Sequence, residues 1–95
     1  KTSYTPEIRI ACPDNLKFKI IEGLKHVFQK NKDSLGIKEI ITVDGLRIHF
    51  EDGWGLIRAS NTQPVLVMRF EADTQDSLKR IQDIVEGQLK ERMNL

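Results

Sequence analysis

The sequence predicts a two-layered α+β fold, ordered β-α-β-β-β-β-α, with two helices on one face of a mainly antiparallel sheet. Three observations lead there. One stretch near each end of the chain repeats apolar residues every three or four positions, as an amphipathic helix does. Several short stretches elsewhere alternate apolar and polar residues with period two. Asp44-Gly45 and Asp52-Gly53 are tight-turn dipeptides that join neighbouring strands directly. At 95 residues the chain is expected to be one domain.

The elements follow in order. Glu7 to Ala11 sets Ile8 and Ile10 against Glu7 and Arg9, a strand that Pro13 stops. Asp14 or Asn15 is placed to cap the helix that follows. From Leu16 to about Gln29 the apolar stripe is Leu16, Ile20, Ile21, Leu24, Val27 and Phe28. Lys17, Lys19, Glu22, Lys25 and His26 fall mostly outside it, and the lysines are expected on a solvated face. Asn31 to Gly36 reads as a polar loop, and Glu39 to Val43 as a short β-branched strand. Leu46, Ile48 and Phe50 then alternate with Arg47, His49 and Glu51, and Trp54 to Ser60 forms the next strand. Beyond the loop from Asn61 to Pro64, Leu66, Met68, Phe70 and Ala72 share one face of a strand. Val65, Val67, Arg69 and Glu71 share the other. Thr74 is placed to cap a last helix whose stripe is Leu78, Ile81, Ile84, Val85, Leu89 and Met93.

Composition narrows the function classes. Fifteen Lys and Arg against 14 Asp and Glu leave a formal charge of +1, so no global field recruits nucleic acid or an anionic membrane. An anion site must therefore be local. The apolar runs are far too short for a membrane span, and the start Lys1-Thr2-Ser3-Tyr4 has neither a signal peptide's pattern nor an initiator Met. It reads as a cut inside a longer protein. Cys12 stands alone, which argues against a disulfide framework and for a reducing, cytoplasmic setting. It fits a small core residue at a strand end better than a nucleophile.

Catalytic and metal patterns are weak. His26, His49 and Cys12 fall on different elements without paired ligand spacing, so the histidines read as isolated surface residues. Ser60 lacks the strand-elbow-helix setting of a hydrolase serine. Asp44 and Asp52 each precede Gly, which turn formation explains. A nucleic-acid-binding sheet would need stacking aromatics on its open face. Phe50 and Phe70 fall on the apolar side, leaving Trp54 and Tyr4 as platforms. A free-standing α+β module for nucleic acid or a protein partner stays as the alternative reading.

The densest polar cluster is Arg58-Ala59-Ser60-Asn61-Thr62, closed by Pro64. Arginine offers a planar fork that matches two phosphate oxygens. Ser60 and Thr62 add hydroxyls, Asn61 adds an amide, and a tight loop can turn backbone N–H groups inward. Strand alternation points Arg58 and Ser60 to the same side. Ser-Asn-Thr-x-Pro is also good turn chemistry, and composition and spacing fit both readings equally well.

At these residues the chain resembles a known family. "RASNTQPVLVMRFEAD", with "TPEIRI" upstream and "DGLRIHFEDGWGL" leading in, is similar to the C-terminal domain (domain 4) of the α-D-phosphohexomutases, most closely the bacterial phosphomannomutase/phosphoglucomutase type. The resemblance runs from Thr5-Pro6-Glu7 through the last helix. Phosphoglucosamine mutases carry a Ser-Gly-Thr form of the loop, and Gln63 stands where the nearest relatives would have Thr. The resemblance implies a TATA-box-binding-protein-like sheet with helices on one face. It further implies an enzyme, an isomerase that interconverts hexose 1-phosphate and hexose 6-phosphate through a bisphosphate. In that family the phosphoserine and the Mg²⁺ site lie in earlier domains, so no catalytic residue, metal or cofactor is expected in this one. The substrate phosphate-binding residues it implies are Arg58, Ser60, Asn61 and Thr62, with Arg69 a less secure extension. Residues 1–6 become the hinge-side linker and residues 7–95 the domain. The expected partners are a phosphosugar and the other domains of the same polypeptide, with no nucleic acid and no membrane.

Overall fold

Chain alternation and turn chemistry produce eight elements in the computed structural model, which describes residues 2–94. They are β1 (Ser3–Tyr4), β2 (Ile8–Ala11), α1 (Asp14–Lys30), β3 (Ile37–Ile41), β4 (Leu46–Phe50), β5 (Gly53–Ala59), β6 (Val65–Ala72) and α2 (Gln75–Met93). The expected order is found, preceded by the two-residue β1. Lys1 and Leu95, at the ends of the expected linker and domain, lie outside the described residues. The strands form one antiparallel sheet ordered β1-β6-β5-β4-β3, and β2 pairs with the same edge of β6 as β1 does.

The period of two decides what each face carries. Leu46, Ile48 and Phe50 of β4, Ile57 of β5, and Leu66, Met68, Phe70 and Ala72 of β6 are buried together. Leu24 and Phe28 of α1 and Leu78, Ile81, Val85 and Leu89 of α2 cover them. Each such side chain contributes on the order of 2 kcal/mol when taken out of water. Cys12 is buried in the same core, and burial pushes its thiol up, with the charge of Lys17 acting against that. Its place is that of a small apolar residue, as the sequence suggests.

Three local expectations need correction. No side chain of Asp14 or Asn15 caps α1: Pro13 occupies the cap position, and its carbonyl accepts from the N–H groups of Leu16 and Lys17. The buried face of α1 is rotated from the expected stripe. Leu16 is 39% exposed and Lys17 is buried, so Lys17 is not part of a solvated lysine face. Its spacing to Leu24 and Phe28, seven and eleven residues on, already puts it on their side of the helix. His49 is half-buried rather than a surface histidine, and its Nε2 has no hydrogen-bond partner.

Two turns tie the layers and aim the sheet's open face. Asp52, in the β4–β5 turn, accepts two hydrogen bonds from the guanidinium of Arg80 on α2, at 2.7 and 2.8 Å. It therefore does more than form a turn: it fastens α2 to the sheet. In the β3–β4 turn, Asp44 and Gly45 both have positive φ, 59° and 118°. A Cβ on Gly45 would come within 2.6 Å of Arg58 Cβ and 2.8 Å of the Ile57 carbonyl oxygen. Only glycine allows this turn to lie against β5. Thr74 caps α2 as expected, accepting from the Ser77 N–H at 3.1 Å.

Two expected outcomes follow. Gly45→Ala combines a disfavoured φ with a backbone collision, and should lower Tm by about 5–15 °C in a thermal melt. A variant melting with the parent would contradict the close approach. The Arg80 guanidinium, with help from the Ser77 hydroxyl, holds the Asp52 carboxyl well below the usual carboxylate range. Its folded value lies below the unfolded one near ~3.9. The stabilisation is therefore complete above about pH 4 and fades as pH falls further. Asp52→Asn should lower Tm by about 3 °C at neutral pH, with a smaller difference from the parent in strong acid. A difference that persists unchanged at low pH would refute this assignment.

Candidate functional site

The loop from Ser60 to Pro64 sits where β5 and β6 leave each other, and its ends are tied by hydrogen bonds from the backbone of Ser60, Gln63 and Pro64. Ser60 N–H donates to the Val65 carbonyl at 3.1 Å, and Val65 N–H donates to the Gln63 carbonyl at 2.8 Å. Ser60 Oγ accepts from the N–H groups of Thr62 and Gln63 at 3.3 and 3.2 Å, a side-chain turn of the type serine favours. The Pro64 carbonyl takes the Cys12 N–H at 2.7 Å, and the Gln63 side chain takes a hydrogen bond from Arg9 at 2.7 Å. From α1, the Lys17 ammonium donates to the carbonyls of Ser60 and Gln63, the latter at 3.2 Å. It also pairs with Asp14 at 2.9 Å.

The four expected site residues are placed differently. Arg58 is exposed on the open face of β5, opposite Val67 of β6. It stands between two hollows. One, of about 550 Å³, is walled by Phe18, Glu22, Lys25, Thr42 and Asp44, with Arg58 and Asn61 on its rim. The other, of about 340 Å³, lies on the open sheet face and gathers Arg47, Arg58 and Arg69 with Glu7, Asp44 and Leu56. Arg58 and Asn61 thus share a wall, and Thr62 is exposed at the loop tip beyond it. Ser60 lies one residue past the end of β5, and its Oγ turns into the loop. Both of its lone pairs are used there, which leaves its O–H proton free to donate.

The charges on this face favour an anion. Among the described residues neither Arg58 nor Arg69 has a carboxylate within ion-pair distance. Arg69 is exposed across β5 from Arg47, both pairing with Leu56, as strand alternation expects. Arg47 lies over the Trp54 ring with 4.8 Å to its centre, so that aromatic is capped. Tyr4 is 72% exposed, whereas Phe50 and Phe70 are buried. A stacking surface for bases is therefore sparse. Among the described residues no group of three or more His, Cys, Asp or Glu could hold a metal ion, and no helix is long and apolar enough to cross a membrane.

Two contributors escaped the sequence reading. Arg47 arrives by cross-strand register, which single-strand alternation cannot reveal. Lys17 was hidden by its charge, although its helical spacing from Leu24 and Phe28 was readable.

The family model for the phosphoglucomutase/phosphomannomutase C-terminal domain matches residues 7–88. A phosphomannomutase/phosphoglucomutase of Pseudomonas aeruginosa is 50% identical over 86 residues, covering 90% of this chain and 18% of that protein. A phosphoglucomutase of Neisseria meningitidis serogroup B is 47% identical over 94 residues, covering 96% of this chain and 19% of that protein. The crystal structure of a phosphoglucomutase/phosphomannomutase family protein from Burkholderia thailandensis superposes with a TM-score of 0.78 at 38% identity, over 98% of this chain and 18% of that one. The chain thus spans under a fifth of the length of these relatives. It belongs to the phosphoglucomutase/phosphomannomutase family and corresponds to that family's C-terminal domain.

Proposed function

We propose that this domain works within a phosphohexomutase, where Arg58, Ser60, Asn61 and Thr62 clamp the phosphate of the sugar that is not reacting. The observation that carries the reading is Arg58. Its guanidinium is exposed and free of carboxylates among the described residues, beside Asn61 at the mouth of a tied loop. A fork of donors without an internal partner suits a dianion that arrives with the substrate.

In this proposal the chain contributes binding, and the reaction proceeds on other domains of the same polypeptide. A Mg²⁺ ion, which the family resemblance assigns to those other domains, would supply positive charge for phosphoryl transfer there. Holding the distant phosphate orients the reacting hydroxyl and raises its effective concentration. A bisphosphate intermediate must be received from either end between the two half-reactions. Arginine, hydroxyl and amide donors suit both orientations because they recognise phosphate and not the sugar ring. Closure of the domain over the substrate would keep water from a labile phosphoenzyme. Arg69, in the second hollow with Arg58, is proposed to add positive potential. Residues 1–6 form the hinge-side segment in this scheme. Ser3–Tyr4 pair with β6 and Thr5 exchanges hydrogen bonds with Phe70, so those residues would move with the domain.

Arg58→Ala in the whole protein should lower kcat/KM for a hexose 1-phosphate by about 10²–10³-fold, the loss expected for a bidentate charged contact. Its Tm should stay within a degree or so of the parent's, since exposed substitutions rarely cost stability. Unchanged kinetics would sink the assignment.

A further inference from the structure

Lys17 is 5% exposed, the one buried charged residue among those described. Burying an ammonium is costly unless hydrogen bonds and an opposite charge replace its water. A lysine has three N–H donors, and three acceptors surround this one: the Ser60 carbonyl, the Gln63 carbonyl and Asp14 Oδ1. No donor is left over for a ligand. Among the described residues Asp14 is the only carboxylate paired with it, and it is itself largely in water. The two carbonyls come from a loop more than 40 residues away in sequence.

A loop that binds an anion has a problem of sign. Every peptide unit carries an N–H and a C=O, which point in opposite directions in the trans form. A carbonyl aimed at phosphate repels it. By drawing the Ser60 carbonyl toward α1, Lys17 turns the Asn61 N–H the other way, and that N–H has no protein partner among the described residues. The N–H groups of Thr62 and Gln63 are taken by Ser60 Oγ. The Gln63 carbonyl precedes Pro64, which has no N–H to present, so this peptide is an acceptor only. Lys17 and the Val65 N–H together satisfy it.

We infer that Lys17 is a positioning residue for the phosphate site, an internal ammonium that holds the Ser60 and Gln63 carbonyls inward so that Asn61 N–H is presented to the anion. The inference rests on the reading of that loop as phosphate-binding. Lys17 also places a positive charge behind the loop, its three N–H donors engaged by protein acceptors.

The test uses the whole protein, ¹⁵N-labelled, with inorganic phosphate as the ligand. Lys17→Met keeps an apolar stem of similar length and removes the three donors. It should weaken phosphate binding about tenfold and shift the Asn61 amide before any phosphate is added. KM for a hexose phosphate should rise by a larger factor than kcat falls. Lys17→Arg keeps the charge but offers a planar fork that cannot converge on the same acceptors, and should recover only part of the affinity. Arg58→Ala is measured in parallel. If it loses phosphate while folded Lys17→Met binds like the parent, the positioning role is overturned and the phosphate reading stands. If both bind like the parent, the phosphate reading falls first. Should Lys17→Met fail to fold, the unaltered protein decides. Phosphate should move the Asn61 amide more than those of Thr62 and Gln63, and the opposite order overturns the inference.

Discussion

Seven consecutive residue pairs join β5 to β6, from Gly53 with Ala72 to Ala59 with Leu66, and this register decides which side chains reach solvent on the open face. A slip of one residue would send Ile57 outward and Arg58 into the core. The buried set on both strands makes such a slip very costly, because Ile57, Leu66, Met68 and Phe70 would all lose their apolar surroundings. Packing against α1 and α2 thus holds the exposed arginines in place. Arg58 and Arg9 flank Val67 on neighbouring strands, and that valine is buried on an otherwise open face.

The loop beyond this ladder is held by groups distant in sequence. Arg9 of β2 reaches the Gln63 side chain, the Cys12 N–H reaches Pro64, and Lys17 of α1 reaches two carbonyls. Loops of this size are usually mobile, and ordering a binding loop when the ligand arrives lowers affinity. Tying it beforehand from the sheet edge and the first helix moves that ordering into the folding of the domain. The Gln63 side chain takes part in this tethering through Arg9.

Much of the fold was readable because it follows from local rules. Period two in β4 to β6, period three to four in the helices and the Asp-Gly turns each carry their own signal, and Thr74 announces α2. What local pattern could not supply was the lateral order of strands. That order brings Arg47 beside Leu56 and the Asp44-Gly45 turn against Arg58. Lys17 departs from its local pattern for a different reason. Charge normally predicts exposure, and here a tertiary set of acceptors overrides it. Arg58, Asn61 and Thr62 were legible as a polar cluster, but only the fold separates the two that share a hollow from the one at the tip.

The Lys17 contact also defines what would have to be inherited or transplanted together. A graft of residues 58–64 onto another scaffold would transfer the letters of the loop without the ammonium that organises its carbonyls. In chimaeras between related domains, the crossover point matters accordingly. A junction placed in the long stretch between α1 and β5 would separate the loop from the helix turn that contacts it, even though the two segments lie more than 40 residues apart in sequence. The smallest transferable unit of this helix–loop contact is therefore discontinuous, one turn of α1 together with one loop.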